Sequence, residues 1–305
     1  MFMTRLLFLP LALALALGAV AGCAAEDSSG KPEVLASFYP LQYVAERIVG
    51  DHAEVTNLTK PGAEPHDLEL TPRQTANVTS ASVVFYEKGL QPAVDEAIAN
   101  DRPEHVVDAA DVVELHHSED EAHEDEEGHD HDGTDPHFWL DPTLLGQAAA
   151  AFAKTMSESD SSNAAAYRAA NEKLQADLRD LDREFRTGLA NCSSHTLVVS
   201  HDAFGYLGRR YDLDVHPITG LSPAAEPSPR HLAELSDLIR TDKVTTVFSE
   251  RLASRKLADT LASDLGIKTA VLDPIEGLTS PDSSEDYLSL MRENLAAIRK
   301  AAGCA

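Results

Sequence analysis

His66 in KPGAEPHDLEL, His137 in DPHFWLDP, His201 in LVVSHDAFGYL and Asp273 in AVLDPIEG each fall at the end of an expected strand or in the loop after one. In open α/β sheets, ligands bind in the crevice at the carboxyl ends of the strands, so one crevice can gather all four side chains. Neutral imidazoles hold Zn(2+) at about 2.0–2.1 Å, and a carboxylate oxygen can complete the tetrahedron. Three nitrogens and one oxygen favour zinc over manganese, which takes more oxygen ligands. A single loop histidine is ordinarily a polar surface residue. Four metal-binding types at equivalent strand ends make a stronger case.

The most conspicuous histidines are others. The run HHSEDEAHEDEEGHDHDGTDPHFWLDP, from His116 to Pro142, interleaves acidic residues with His116, His117, His123, His129 and His131 before it reaches His137. Residues 116–135 carry no periodic apolar positions and read as a mobile acidic loop. Ordering such a loop costs roughly 1–2 kcal/mol per residue, which argues against a tight site made of the loop alone. Its five histidines are expected to be accessory, collecting zinc weakly beside the main site. Only His137, tied down by the apolar FWLDP that follows, belongs to that site.

The elements that must position these residues alternate. Strands are expected at 33–39, 53–59, 82–87 and 104–109, with helices at 41–49, 71–80 and 92–99. This βαβα pattern implies a parallel sheet covered by helices. Leu174, Leu178, Leu181, Phe185 and Leu189 then recur at helical spacing and mark one apolar face of a long helix. A second alternating block follows, with strands at 196–200, 213–217, 243–250 and 268–273. Its helices are expected at 202–210, 229–240, 252–265 and 284–302. The fold class is α/β, with two lobes, each a parallel sheet flanked by helices, joined by one long rigid linking helix. The expected boundaries are an N-terminal lobe at 33–160, the linking helix at 161–190 and a C-terminal lobe at 191–305.

The formal net charge of -26 argues against nucleic acid, whose phosphates need clustered Lys and Arg. The first 22 residues, with Arg5 followed by the apolar stretch from Leu6 to Leu17, read as a signal peptide; the stretch is too short to span a bilayer. Val20-Ala21-Gly22-Cys23 resembles a bacterial lipobox, which implies cleavage before Cys23, acylation of its thiol, and a flexible tether over 23–32. That leaves Cys192 and Cys304, which in an oxidising compartment most simply pair. Glu250, at another strand end, is a candidate to orient a metal ligand or to cap the next helix.

PGAEPHDLELTPRQ, DPHFWLDP, SHDAFGYL, GLSPAAEPSPRHLAEL and VLDPIEGL together resemble the cluster A-I (cluster 9) metal-binding lipoproteins, the solute-binding components of zinc and manganese ABC transporters. The resemblance runs from about residue 33 to 304. It implies metal held between the lobes by His66, His137 and His201. It places the fourth ligand on Asp273, with Glu64 beside the first histidine, or water, as the alternatives. Manganese members tend to carry Glu where this chain has His201, and zinc members commonly have a His- and acid-rich loop before the second ligand. The resemblance therefore implies a zinc-type member that captures Zn(2+) and delivers it to a membrane permease with a cytoplasmic ATPase. It would act as a monomer, lipid-anchored on the outer face of the cell membrane or in the periplasm. A manganese-binding member and a surface zinc reservoir or adhesin are the alternatives. A zinc hydrolase would need an open position for water. With Asp273 in the fourth place, and no H-E-x-x-H helix or nucleophile motif, an enzyme is not expected.

Overall fold

Short runs rich in Val, Ile and Phe form two parallel sheets, whose central strands are buried on both faces. The computed structural model describes residues 30–117 and 133–305. The expected signal peptide at 1–22, Cys23 and all but the end of the tether at 23–32 lie outside the described residues, as do His123, His129 and His131. Among the described residues no helix is long and apolar enough to cross a membrane.

The first sheet contains β1 (Glu33–Ala36), β2 (Glu54–Asn57), β3 (Val83–Tyr86) and β4 (Val106–Asp108) in the order β2-β1-β3-β4. Helices α1 (Tyr39–Val49), α2 (Pro72–Ser80) and α3 (Pro92–Asn100) connect them. The start of α2 is fixed by a capping box between Thr71 and Gln74 with Pro72 in the first turn. The second sheet contains β7 (Thr196–His201), β8 (Asp214–Thr219), β9 (Thr246–Ser249) and β10 (Lys268–Val271) in the order β10-β9-β7-β8. Its helices are α6 (Gly205–Tyr211), α7 (Pro229–Thr241), α8 (Lys256–Leu265) and the C-terminal α9 (Tyr287–Ala302). Ser228 accepts a hydrogen bond from the His231 amide and so caps α7.

Between the sheets run α4 (Pro142–Ser159) and α5 (Ala164–Leu189). The apolar face expected from the 174–189 spacing is buried in full: Leu174, Leu178, Leu181, Phe185 and Leu189. This helix packs on α1 and α4 from the first half and on α6 and α9 from the second. It does more than link. Alternate strand residues point to opposite faces, so Leu35 and Val84 pack under α2 and α3, while Val34, Ala36 and Phe85 face a central core. In the second sheet Val198 and Val247 face outward to α7 and α8, while Leu197, Val199 and Phe248 join the same central core. One hydrophobic core therefore runs through both halves, and residues 32–305 form one compact unit.

The acidic run departs from the expected loop at both ends. His116–His117 (β5) and Thr134–Asp135 (β6) pair as a short antiparallel ribbon. Tyr206 on α6 secures it, accepting from the His116 amide at 2.8 Å and donating to the Asp135 carbonyl at 2.9 Å.

Cys192, just after α5, is bonded to Cys304, just after α9, across a sequence separation of 112 residues. Cys192 lies four residues before β7 begins, and His201 ends that strand five residues beyond its first residue, Thr196. That is about 16 Å along the strand at roughly 3.3 Å per residue. Replacing both cysteines by serine is expected to remove about 2–4 kcal/mol of unfolding free energy. Zinc stoichiometry should stay the same; denaturant titration and metal analysis of the same variant check both halves of this expectation.

Candidate metal centre

Each residue of the site sits on a segment whose backbone is held from both sides. His66 lies in the loop after β2. That loop is pinned by Thr59 Oγ1 donating to the Ser37 carbonyl at 2.8 Å and by Gln91 Nε2 donating to the Pro65 carbonyl at 3.2 Å. The Gly62 amide crosses to the Leu278 carbonyl at 2.7 Å, tying the loop to the segment after β10. His137 lies between β6 and the turn Phe138–Leu140, all three of whose side chains are buried. Trp139 Nε1 donates to the Pro274 carbonyl at 2.7 Å, and Tyr287 Oη donates to the Trp139 carbonyl at 2.6 Å. His201 is the last residue of β7.

The fourth member is Glu276, and Asp273 is not in the group. Nε2 of His137, His201 and His66 lie 3.2, 3.3 and 3.4 Å from Glu276 Oε1, and the His137 and His201 Nε2 atoms are 3.4 Å apart. All four ligand atoms fall within 4.8 Å of one another. A tetrahedral ion with bonds of about 2.05 Å has ligand–ligand edges of about 3.3 Å. The four separations of 3.2–3.4 Å match that edge, in a cluster whose ligand atoms all lie within 4.8 Å of one another. His66 Nε2 has no hydrogen-bond partner aligned with it, so its lone pair is free to meet a cation. His137, His201 and Glu276 are buried, and the His66 side chain, at 13% exposure, is the one that reaches solvent.

Asp273 has another task. Its Oδ1 accepts from the Ile275 amide at 2.8 Å, and its Oδ2 faces Arg251 Nε at 3.1 Å. Its backbone is bracketed by Asn294, which accepts from the Asp273 amide at 2.8 Å and donates to the Asp273 carbonyl at 2.6 Å. Ile275 sits at φ +59, the left-handed region that a β-branched residue enters at a cost of roughly 1–2 kcal/mol. This tight reversal turns the chain so that Glu276, three residues on, enters the cluster instead of Asp273. The sequence offered both carboxylates in DPIEG. Only the turn decides between them.

Carboxylates also fix the outer nitrogens of two imidazoles. Asp135 Oδ1 lies 2.9 Å from His137 Nδ1 and accepts from the His137 amide at 2.9 Å. Glu250 Oε1 lies 2.6 Å from His201 Nδ1 and also takes the Ser200 hydroxyl. Such partners set the tautomer, so that Nε2 faces the centre of the cluster, and would raise the basicity of a ligand there. Glu250 therefore lies where an orienting group is needed. Asp135 was not singled out from the sequence; its signal was the D-x-H spacing in TDPHFW. Gly205 makes room for it, because a Cβ there would come within 2.7 Å of Asp135 Oδ2. Glu64 lies beside Glu276, outside the four. Burial first, and then the negative Glu276, push its carboxyl up to about 8. His116 does not enter the cluster.

The electrostatics of the cluster favour positive charge beside Glu276. Burial drives the Glu276 carboxyl toward the neutral form, but the close approach of His137, His201 and His66 outweighs it and holds the group well below the usual carboxylate range. Burial pulls His137 down, yet its bonds to Asp135 and Glu276 prevail and raise it to about 9. His201 is raised well above its ordinary value by Glu250 and Glu276 against burial. His66, for which burial dominates, is lowered. Asp273, raised to about 6 by burial despite Ile275 and Arg251, is not held as a strong anion in the way Glu276 is.

Two parallel sheets meeting at one buried three-histidine, one-carboxylate cluster define a solute-binding protein for a divalent cation. The model of the ZnuA family, the zinc-uptake complex component A, periplasmic, matches residues 34–301, and the chain belongs to that family. It is 35% identical over 283 residues to the high-affinity zinc uptake system protein ZnuA of Bacillus subtilis, covering 90% of this chain and 88% of that one. It is 34% identical over 290 residues to the zinc-binding lipoprotein AdcA of Streptococcus pneumoniae, covering 90% of this chain but 56% of that longer protein. The crystal structure of the Zn(II)-bound ZnuA-like domain of the same AdcA superposes with a TM-score of 0.73 at 29% identity, covering 90% of this chain and 99% of that one.

Metal binding requires deprotonated imidazoles, so zinc must displace the protons that His137 and His201 hold. His137 keeps its proton below about 9. Apparent zinc affinity should therefore be greatest above that pH. It should fall about tenfold per unit of acidification for each proton displaced. Calorimetric titration at pH 7.5 in buffers of different ionisation enthalpy should give a slope of at least one proton released per zinc; a zero slope would contradict the protonated metal-free site.

Proposed function

We propose that the protein captures Zn(2+) outside the cytoplasm with His66, His137, His201 and Glu276 and delivers it to the permease of an ABC-type importer powered by a cytoplasmic ATPase. The observation that carries the ligand set is the convergence of three Nε2 atoms on one carboxylate oxygen at 3.2–3.4 Å, all four atoms lying within 4.8 Å of one another. A set of three imidazoles and one carboxylate suits zinc. Manganese favours more oxygen and stands lowest in the divalent affinity series. The family is one of solute-binding proteins, which carry a cargo and transform nothing.

Membrane attachment through an acylated Cys23 is supported by the Val20-Ala21-Gly22-Cys23 tetrapeptide and by the naming of the AdcA relative as a lipoprotein. Action as a monomer is supported by a ligand set that one chain completes. His116, His117, His123, His129 and His131 remain accessory collectors in this reading, outside the tight site.

The mature chain is expected to bind one zinc tightly and to prefer it to manganese in competitive titration, and a manganese preference would overturn the metal assignment. Glu276→Gln should weaken zinc binding on the order of 100-fold, at or above the upper range for loss of a supporting group. Deleting residues 118–132 should leave the tight site intact, and its loss would return the site to the loop. Cys23→Ala, expressed in a bacterium that processes lipoproteins, is expected to move the protein from the membrane fraction to the soluble extracytoplasmic fraction. Retention in the membrane would count against the lipid anchor.

A further inference from the structure

We propose that Arg251 is a positioning residue that braces two of the metal ligands at once, His201 and Glu276, without touching the metal. The inference rests on the ligand set proposed above. Arg251 follows Glu250, whose carboxylate holds His201 Nδ1 at 2.6 Å. The Arg251 side chain reaches the other way. Its Nε lies 3.1 Å from Asp273 Oδ2, and the second oxygen of Asp273 accepts the Ile275 amide at 2.8 Å. That amide immediately precedes Glu276. A short path therefore runs from His201 through Glu250 and Arg251 to Asp273, the left-handed Ile275 and Glu276.

The remaining donors of Arg251 are engaged as well. Nη1 donates to both oxygens of Glu285 at 2.9 Å, and Nη2 donates to Glu293 at 2.5 Å. Glu285 adjoins Asp286, the cap of α9, and Glu293 lies within that helix. The guanidinium thus ties the loops after β9 and β10 to α9. Its planar fork suits three carboxylates in three directions, whereas an ammonium would act as a point charge. The side chain is 24% exposed, so the ion pairs are partly screened, and their worth lies in geometry more than in Coulomb energy. Without Arg251, Asp273 loses the partner that aims it at Ile275, and the reversal that delivers Glu276 loses its brace.

The test compares the unaltered mature protein with Arg251→Gln, Arg251→Lys, Asp273→Asn and the double variant Arg251→Gln/Asp273→Asn. Zinc release into excess chelator gives the dissociation rate, and the visible spectrum of the Co(2+)-loaded protein reports ligand geometry. Arg251→Gln is expected to release zinc about tenfold faster, the lower range for loss of a supporting group, and to alter the Co(2+) bands. Arg251→Lys should fall between it and the unaltered protein. The double variant should be no faster than the faster single one, because both act through one path. A folded Arg251→Gln with unchanged release and spectrum, or two effects that multiply in the double variant, would overturn the proposal. If Arg251→Gln does not fold, Arg251→Lys decides by the same two readouts. If the unaltered protein fails to bind one zinc tightly, the ligand assignment itself falls, and this inference with it.

Discussion

The arrangement turns on one oxygen atom, Glu276 Oε1, toward which three imidazole nitrogens point from three distant parts of the chain. A buried carboxylate cannot remain ionised without strong compensation. Here the compensation comes from histidines that themselves lie in low-dielectric surroundings and are charged only when protonated. Around them stand further carboxylates, Asp135 against His137 and Glu250 against His201. With neutral imidazoles, Glu276 and Glu250 would leave two negative charges in the interior beside Asp135, whose other oxygen faces Arg209 at 3.7 Å. Protons on His137 and His201 relieve this in the metal-free state, and a divalent cation relieves it better, at the centre of the cluster. Selectivity for a cation and exclusion of anions follow from the same charge count.

That oxygen could not occupy its place without a costly backbone turn. Ile275 adopts a left-handed conformation while fully buried. The surroundings over-determine it: Asp273 holds its amide, Trp139 holds the carbonyl of Pro274, and Asn294 brackets Asp273. Trp139 belongs to the segment that carries His137, so the hydrogen bond that fixes one ligand loop also fixes another. Strain of this kind persists only where the neighbouring structure enforces it, and such positions concentrate at functional sites.

The two parallel sheets, their helices and the long apolar face of α5 were readable because they rest on periodicity, which a sequence displays directly. His66, His137 and His201 were readable as residue types at strand ends, together with a family resemblance. That Glu276 and not Asp273 joins the cluster was not legible, because a β-branched residue in a left-handed turn has no sequence signature; the local pattern favours the carboxylate nearest the strand. The continuity of the core was hidden for a related reason. Alternation along β1, β3, β7 and β9 says that each strand has two apolar faces, but not that one face from each sheet joins a common interior. The ends of the acidic run were read as loop because a two-residue ribbon such as His116–His117 with Thr134–Asp135 is too short to show a period.

The common interior bears on how a cargo enters and leaves. Separating the two sheets widely would expose part of a core that includes Phe85, Phe152, Phe185, Leu197 and Tyr287. Each Å² of apolar surface exposed costs about 25 cal/mol, and a fully exposed side chain of this size costs about 1.5–3 kcal/mol. The loop that carries His66 is held more lightly. Its tie to the opposite segment is the Gly62–Leu278 hydrogen bond, and a typical hydrogen bond contributes about 0.5–1.5 kcal/mol. His66 is also the ligand candidate with solvent access and without a carboxylate on its outer nitrogen among the described contacts. The cluster thus divides into a rigid part, His137, His201 and Glu276, fixed by the central core and the braced turn, and a lighter part, His66, on a surface loop. With the proposed ligand set, exchange at the His66 edge would disturb the fewest buried contacts, so the packing of α5 on both halves and the exchange of cargo are physically compatible.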